Sequence, residues 1–162
     1  MKQILLTNSK KVAIVDDWNF DEINKYNWYL DRTKTGSKIR ATTVINGRTN
    51  LNLSNFIWKF TTLTIDHKDR DVFNNLESNL RPANNSQNGA NKVKWVKNAS
   101  SQYKGVSFFK RDSNWRAIIK KDYKYIHIGY FRTEIGAAKA YDKKAKELFG
   151  EFAVLNFPEE TL

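Results

Sequence analysis

The sequence predicts an α+β fold in two parts, and three observations carry that prediction. Residues 103–108, 115–120 and 124–128 alternate apolar and polar side chains with the period of two that a half-buried strand requires. A helical spacing follows, with Ala137, Tyr141, Ala145 and Leu148 on one face. It lies between Thr133, an N-cap residue type, and Gly150, a C-cap one. Before residue 92 the pattern changes to short β-branched runs broken by turn residues, with room for one short helix. The expectation is a C-terminal three-stranded antiparallel sheet packed on one helix, preceded by a part built of short strands.

Each element has a local reason. Val12-Ala13-Ile14-Val15 is a compact β-branched run. Asp16 and Asp17 precede Trp18 to Tyr26, and acids suit a helix N-terminus. Trp28-Tyr29-Leu30 reads as the next strand. Ile39 to Val44, then Asn46-Gly47, then Thr49 to Leu53 is a hairpin with a type I′ turn. Trp18, Phe20, Tyr26, Trp28 and Tyr29 are read as core, because a small part needs large aromatic areas to bury. In the C-terminal part Val106, Phe108, Ala117, Ile119, Ile126 and Ile128 share the face under the helix. The opposite face carries Lys104, Ser107, Phe109, Arg116, Ile118, Lys120, Tyr125 and His127.

Composition bounds the partner. The chain has 162 residues, with 28 Lys+Arg against 17 Asp+Glu, a net charge of +11 and a pI near 9.8. So basic a chain implies a polyanion, because Lys and Arg displace counterions condensed on phosphates. A membrane surface is the competing polyanion, but no apolar run approaches the roughly 20 residues needed to span a bilayer. The first residues lack the apolar stretch of a signal peptide, and there are no cysteines for disulfides or Cys-containing zinc fingers. An intracellular, unsecreted protein is expected. Residues 1–91 hold 13 Lys+Arg and 9 Asp+Glu, and residues 92–162 hold 15 and 8. The expected organisation is a first domain over 1–91, a basic linker over 92–102 that tracks DNA, and a second domain over 103–162.

The stretch from Ile65 to Asn91 carries the chemistry. Asp66-His67 comes first, Asn79 follows twelve residues after His67, and Asn88 lies nine beyond that. Asp66 offers a hard anionic oxygen and Asn88 an amide oxygen, a pair suited to Mg²⁺ or Mn²⁺ rather than zinc. His67 can take a proton from water near neutral pH. Taken singly, each of these residues is also ordinary turn chemistry.

This segment resembles the HNH motif of phage and intron homing endonucleases. Asp66-His67, the run from Asn74 to Arg81, and Ser86-Gln87-Asn88 carry the resemblance. It implies a ββα-metal nuclease core preceded by short strands: the first pair ends a strand, Asn79-Leu80-Arg81 enters the second, and Asn88 sits on a helix. It further implies Asp66 and Asn88 as metal ligands, His67 as general base, and Asn79 as the residue that orients its imidazole. One departure stands out. Where the family shows His-Arg-Leu-Ile on a preceding short helix, this chain has Ser54-Asn55-Phe56-Ile57.

The C-terminal part resembles the Apetala-two/ethylene-response-factor DNA-binding domain. The landmarks are Tyr103-Lys104-Gly105-Val106, Trp115-Arg116-Ala117, Gly129-Tyr130-Phe131, Ala137-Ala138, Ala140-Tyr141-Asp142 and Leu155-Asn156-Phe157-Pro158. The resemblance implies that the polar sheet face enters the DNA major groove. Lys104, Ser107, Phe109, Arg116, Ile118, Lys120, Tyr125 and His127 are then candidate DNA contacts, with Lys110 and Arg111 in a loop near phosphate. Tyr141 is taken both as facing the core and as a candidate DNA contact. Several face positions depart from the plant pattern, so the plant preference for GC-rich sites is not carried over.

The expected function is a monomeric, site-specific homing-type endonuclease that cuts double-stranded DNA with one Mg²⁺ or Mn²⁺. A non-catalytic DNA-binding regulator derived from such a nuclease is the alternative of another class. An RNA-binding protein suits the charge but not the sheet-plus-helix signature.

Overall fold

The structure is a computed structural model that describes residues 1–32, 39–45, 48–59, 63–94 and 99–161. It divides into two compact units, Met1–Ala83 and Asn84–Leu162. Among the described residues no helix is long and apolar enough to cross a membrane.

In the first unit β1 (Lys2–Leu5) pairs antiparallel with β2 (Val12–Val15). The sequence patterning leaves β1 unassigned. Its burial is carried by Ile4, with Leu6 just beyond, while Lys2, Gln3 and Leu5 are exposed. Helix α1 (Asp17–Ile23) follows, with Asp17 in the first turn, where an anion meets the positive end of the dipole. Asp16 holds the N-cap position without bonding the helix; its Oδ2 accepts from Glu77 N–H at 2.8 Å instead. Asn19 and Ile23, four residues apart, take the inward face. Trp18 is therefore turned out, 62% exposed, and does not join the core as expected. Trp28 does, at 1% exposed, with its Nε1 donating to Ile23 O. Phe20 and Tyr26 pack partly buried against it, and Tyr29 is half-buried.

β3 (Trp28–Arg32), β4 (Ile39–Ile45) and β5 (Arg48–Asn52) form an antiparallel sheet in that order. The expected Asn46-Gly47 turn lies outside the described residues. Helix α2 (Leu53–Ile57) leads to β6 (Thr64–His67), which pairs antiparallel with β7 (Leu80–Ala83). Their register sets Asp66 opposite Arg81 and His67 opposite Leu80.

The second unit opens with α3 (Asn85–Ala90). β8 (Val106–Phe109), β9 (Asn114–Lys121) and β10 (Lys124–Phe131) form an antiparallel sheet in the order β10-β9-β8. One face packs on α4 (Glu134–Phe149), capped by Thr133, whose Oγ1 accepts from Gly136 N–H at 3.1 Å. Val106, Ala117 and Ile119 are buried with Ala137, Tyr141 and Ala145, and the small alanines let helix and sheet come close. Phe108 departs from the expectation. It is 38% exposed at the sheet edge, its ring set edge-on against Trp115 with centroids 5.0 Å apart.

The chain end is tied back by a buried carboxylate. Asp142 accepts from the backbone N–H of Asn156 and Phe157 and from Asn156 Nδ2. Asn156 also bonds both backbone groups of Lys104. The neighbouring Gly105 has φ +75, and a Cβ there would overlap the Tyr141 ring at about 2 Å. Gly105→Ala combines a left-handed residue, about 1–2 kcal/mol, with overpacking of about 1–3 kcal/mol. Thermal unfolding should therefore show a loss of at least about 2 kcal/mol, and an unchanged Tm would contradict this packing.

Candidate functional site

Between β6 and β7 the chain makes a loop, residues 68–79, held by backbone hydrogen bonds and by a network of short polar side chains. Asp69 is its hub. Oδ1 accepts from Asp71 N–H at 2.8 Å and from Asn79 Nδ2 at 2.9 Å, and Oδ2 accepts from Asn74 Nδ2 at 2.7 Å. Burial acts to raise the Asp69 pKa, but these donors outweigh it and hold the carboxyl below its ordinary value. The loop is also sewn to β2: Ile14 N–H donates to Phe73 O and Asn75 N–H to Ile14 O, at 2.7 and 2.8 Å.

His67 stands at the mouth of this loop, half-buried. Asn75, 1% exposed, points its amide at the ring. Its Nδ2 donates to Val72 O at 3.0 Å, which leaves Oδ1 facing His67 Nε2 at 3.3 Å. A carbonyl oxygen only accepts, so Nε2 carries the proton and Nδ1 is the basic nitrogen. The expectation placed Asn79 on this ring. In the structure the Asn79 amide instead binds Asp69 and the Asn74 carbonyl, so it braces the loop and Asn75 orients the imidazole. The doubled Asn74-Asn75 is the sequence signal that marks the second amide. Burial is the largest influence on His67 and lowers its pKa; the Asn75 bond and the charges of Asp69, Asp66 and Asp71 oppose it without cancelling it.

Asp66 is buried, and both Nε and Nη2 of Arg81 lie 3.1 Å from its Oδ2. A carboxylate and an amide oxygen are the right donor chemistry for a hard divalent ion. The ion would have to share this carboxylate with Arg81. Asn88 stands on α3, within the second unit, half-exposed. Among the described residues no group of three or more His, Cys, Asp or Glu side chains is arranged to hold an ion. Ser54, at the position where the resemblance leads one to expect a histidine, is buried on α2.

The outward face of the second unit's sheet mixes cations and aromatics. Arg116 lies over the Phe109 ring at 5.8 Å and donates from Nη2 to Ser107 Oγ, while its Nε is buried without a partner. Arg111 sits over the same ring at 5.3 Å and also binds Asp112, in the short turn Lys110–Asp112. Lys120 lies over both Tyr123 and Tyr125. His127 and Tyr130 are in ring contact at 4.7 Å. Register explains the company: Tyr125 faces Lys120, His127 faces Ile118, and Tyr130 and Ser107 both pair with Arg116.

Tyr130 was not expected here. Strict alternation from His127 would send Gly129, not Tyr130, to this face, but the register shifts between His127 and Gly129. The glycine is the signal that could have flagged the bulge. Two expected contacts are corrected. Tyr141 is buried under the sheet, and burial, helped by Asp142, raises its pKa. The Lys104 ammonium turns to the Ala90 carbonyl. Lys94, in the segment read as a DNA-tracking linker, donates to the carbonyls of Tyr103 and Val106. Part of that linker, residues 95–98, lies outside the described residues.

An HNH endonuclease of Acanthamoeba polyphaga mimivirus, itself uncharacterised, is 34% identical to this protein across 88% of the chain and 72% of its own length. The chain belongs to the HNH endonuclease family. Part of it is also similar to plant proteins. An AP2-like ethylene-responsive transcription factor of Arabidopsis thaliana and APETALA2-like protein 2 of Oryza sativa subsp. indica are each 41% identical to it over 58 residues, 36% of the chain. Those 58 residues are only 12% and 13% of the two plant proteins. No family model and no solved structure matches the chain.

In this member of the HNH endonuclease family, the direction of the His67 shift is directly measurable. In the metal-free chain the imidazole should titrate below the ordinary 6.5, because burial disfavours the charged ring. It is then largely neutral at pH 7 and gains its proton only as pH falls below that value. An NMR titration of the His67 ring reads the midpoint, and a value above 6.5 would contradict the burial argument.

Proposed function

We propose that the protein is a site-specific, homing-type DNA endonuclease that acts inside cells as a monomer on double-stranded DNA. The observation that supports this best is the His67 ring, fixed through Nε2 by Asn75 with its basic nitrogen at Nδ1. A base must be held in one tautomer to take a proton from water in a defined direction. In this reading His67 Nδ1 accepts the proton of the attacking water, Asn75 holds the ring, and Asn79 and Asp69 keep the loop shaped around it. Asp66 and Asn88 are the residues we assign to hold one Mg²⁺ or Mn²⁺. When bound, such an ion supplies positive charge to the scissile phosphate and the leaving 3′ oxygen. We place the functional boundary after Asn91, so α3 belongs to the chemistry although it packs with the second unit.

The second unit reads the target in this proposal. Its net charge, seven positive, supplies affinity for phosphate. Arg116, Lys120, Tyr125, His127, Phe109, Ser107 and Ile118 present a sheet face of the kind that enters a major groove. A second reading, a DNA-binding regulator without catalysis, is favoured by buried Ser54 in place of a histidine and by the hold of Arg81 on Asp66.

Cleavage decides between the two. The full chain is incubated with a randomised duplex pool in Mg²⁺ and the cut ends are sequenced. Recurrent ends are expected, and they should vanish with EDTA. His67→Ala should lose about 10²- to 10⁴-fold in cleavage rate, the usual worth of a general base, while duplex affinity holds. Cutting by this variant at the wild-type rate would remove His67 from the mechanism.

Two cations on the second unit should behave differently. Arg116 is braced by Phe109 and Ser107 on the sheet face, whereas Lys110 is exposed in the turn after β8. Arg116→Ala should cost about 1–3 kcal/mol at one base position and relax the preference there. Lys110→Ala should weaken all sequences alike and lower the salt slope by about one. Salt titrations on matched and single-mismatch duplexes compare them. Uniform loss in both would mean that the sheet grips only the backbone.

A further inference from the structure

Helix α3 has six residues, too short to persist alone in water. Its first turn satisfies itself through a capping box, in which Asn84 and Gln87 exchange side-chain bonds at 2.9 Å. What holds it in place lies elsewhere in the second unit. At its C-terminal end Ala90 is buried with Ile119, Tyr141 and Ala145, and its carbonyl accepts from Val154 N–H and from the Lys104 ammonium. At its N-terminal end it is clasped by the tip of the β9–β10 hairpin. Ser86 Oγ donates to Asp122 Oδ1 at 2.9 Å and accepts from Asp122 N–H at 2.7 Å. Asn85 Nδ2 donates to the Tyr123 hydroxyl at 2.8 Å.

The tip itself is an unusual one. Lys121 and Lys124 pair directly, so Asp122 and Tyr123 form a two-residue loop, with φ of 48° and 65°. Such loops favour Asn-Gly, because both positions are left-handed. A tyrosine there is sterically costly, and a costly conformation persists where its surroundings hold it. Tyr123 has contacts on two sides. Its hydroxyl meets α3, and its ring lies 5.7 Å from the Lys120 ammonium, which also covers Tyr125 on the outward face.

We propose that Asp122 and Tyr123 are positioning residues that join the DNA-reading face to helix α3. DNA seated on Lys120 and Tyr125 steadies the hairpin tip, and the tip steadies the helix that carries Asn88. The reading face and the helix that carries Asn88 are then registered by direct contact within one unit rather than by the length of a linker. The inference rests on the reading that this sheet binds DNA, and it deepens that reading by naming the path from face to helix.

Hydrogen exchange on the full chain tests it, with and without a duplex enriched from a randomised pool by wild-type binding. In the wild type the duplex should slow exchange at the Asn88, Gly89 and Ala90 amides about tenfold, the scale set by hydrogen bonds that cease to open. Ser86→Ala combined with Tyr123→Phe should lose that slowing, while duplex affinity changes by less than about twofold and α4 amides stay as protected as before. Tyr123→Phe alone removes one hydroxyl from an exposed ring, leaves the fold in place, and should lose part of the slowing. Asp122→Asn keeps both the acceptor and the turn, and should behave as wild type. Full slowing in Tyr123→Phe and in the double variant would overturn the proposal, as would a duplex that leaves α3 exchange unchanged in the wild type. Exchange needs no cleavage: a chain that cuts nothing yet shows this pattern refutes the nuclease reading and supports the coupling.

Discussion

The buried pair of Asp66 and Arg81 is the constraint on which the first unit's site depends. The two residues face each other across β6 and β7, and Arg81 places two nitrogens on one carboxylate oxygen. A two-stranded sheet is marginal by itself, and a slip of one residue turns every side chain to the other face. A slip here would separate the two buried charges and turn His67 away from Asn75. Removing either partner strands the other charge, which costs about 3–5 kcal/mol in buried pairs. Asp66 therefore has a structural duty besides any chemical one. Loss of activity on replacing it would mix the two effects, whereas His67 has no buried charge to leave behind.

The loop beyond that pair explains why this stretch is so rich in asparagine. A tight polar loop beside a titrating ring needs donors and acceptors that bring no charge of their own. Asn74, Asn75 and Asn79 each use their amides inside it: Asp69 collects those of Asn74 and Asn79, and Asn75 bonds Val72 O and faces the ring. A carboxylate in place of Asn75 would put an anion against the ring, and a hydrophobic residue would release its tautomer. The amide does neither. It fixes Nε2 as the donor and adds no anion, while burial keeps the ring neutral, the condition under which it can accept a proton.

Much of this was legible in the sequence, for reasons that differ by residue. The second unit's strands and α4 follow from period and capping, which are local properties. Asp66 and His67 at the end of one strand, and Arg81 near the start of the next, follow from the resemblance to the HNH motif. What spacing does not encode is which asparagine meets the ring, because Asn75 and Asn79 share a chemistry and differ only in where the loop folds. The outward Trp18 was misread because aromatic content says nothing of which helix face is turned inward. Tyr130 was missed because one bulge resets alternation. Lys104 and Tyr141 were misassigned because a cation or a phenol is equally at home on a DNA face and against a carbonyl or a helix-sheet core.

The placement of α3 changes how specificity and chemistry relate. The chain's positive charge is spread over both units, so phosphate attraction alone gives affinity without register. Register needs rigid side chains on base edges, and stacking holds side chains of the sheet face in that way: Phe109 under two arginines, Lys120 over two tyrosines. In the proposed function, a flexible tether between such a face and the residues assigned to cleavage would blur the cut over the bases the tether spans. A helix clasped by the sheet's own hairpin tip has no such slack. Asn88 is thereby tied to the outward sheet face by side-chain bonds made within one unit.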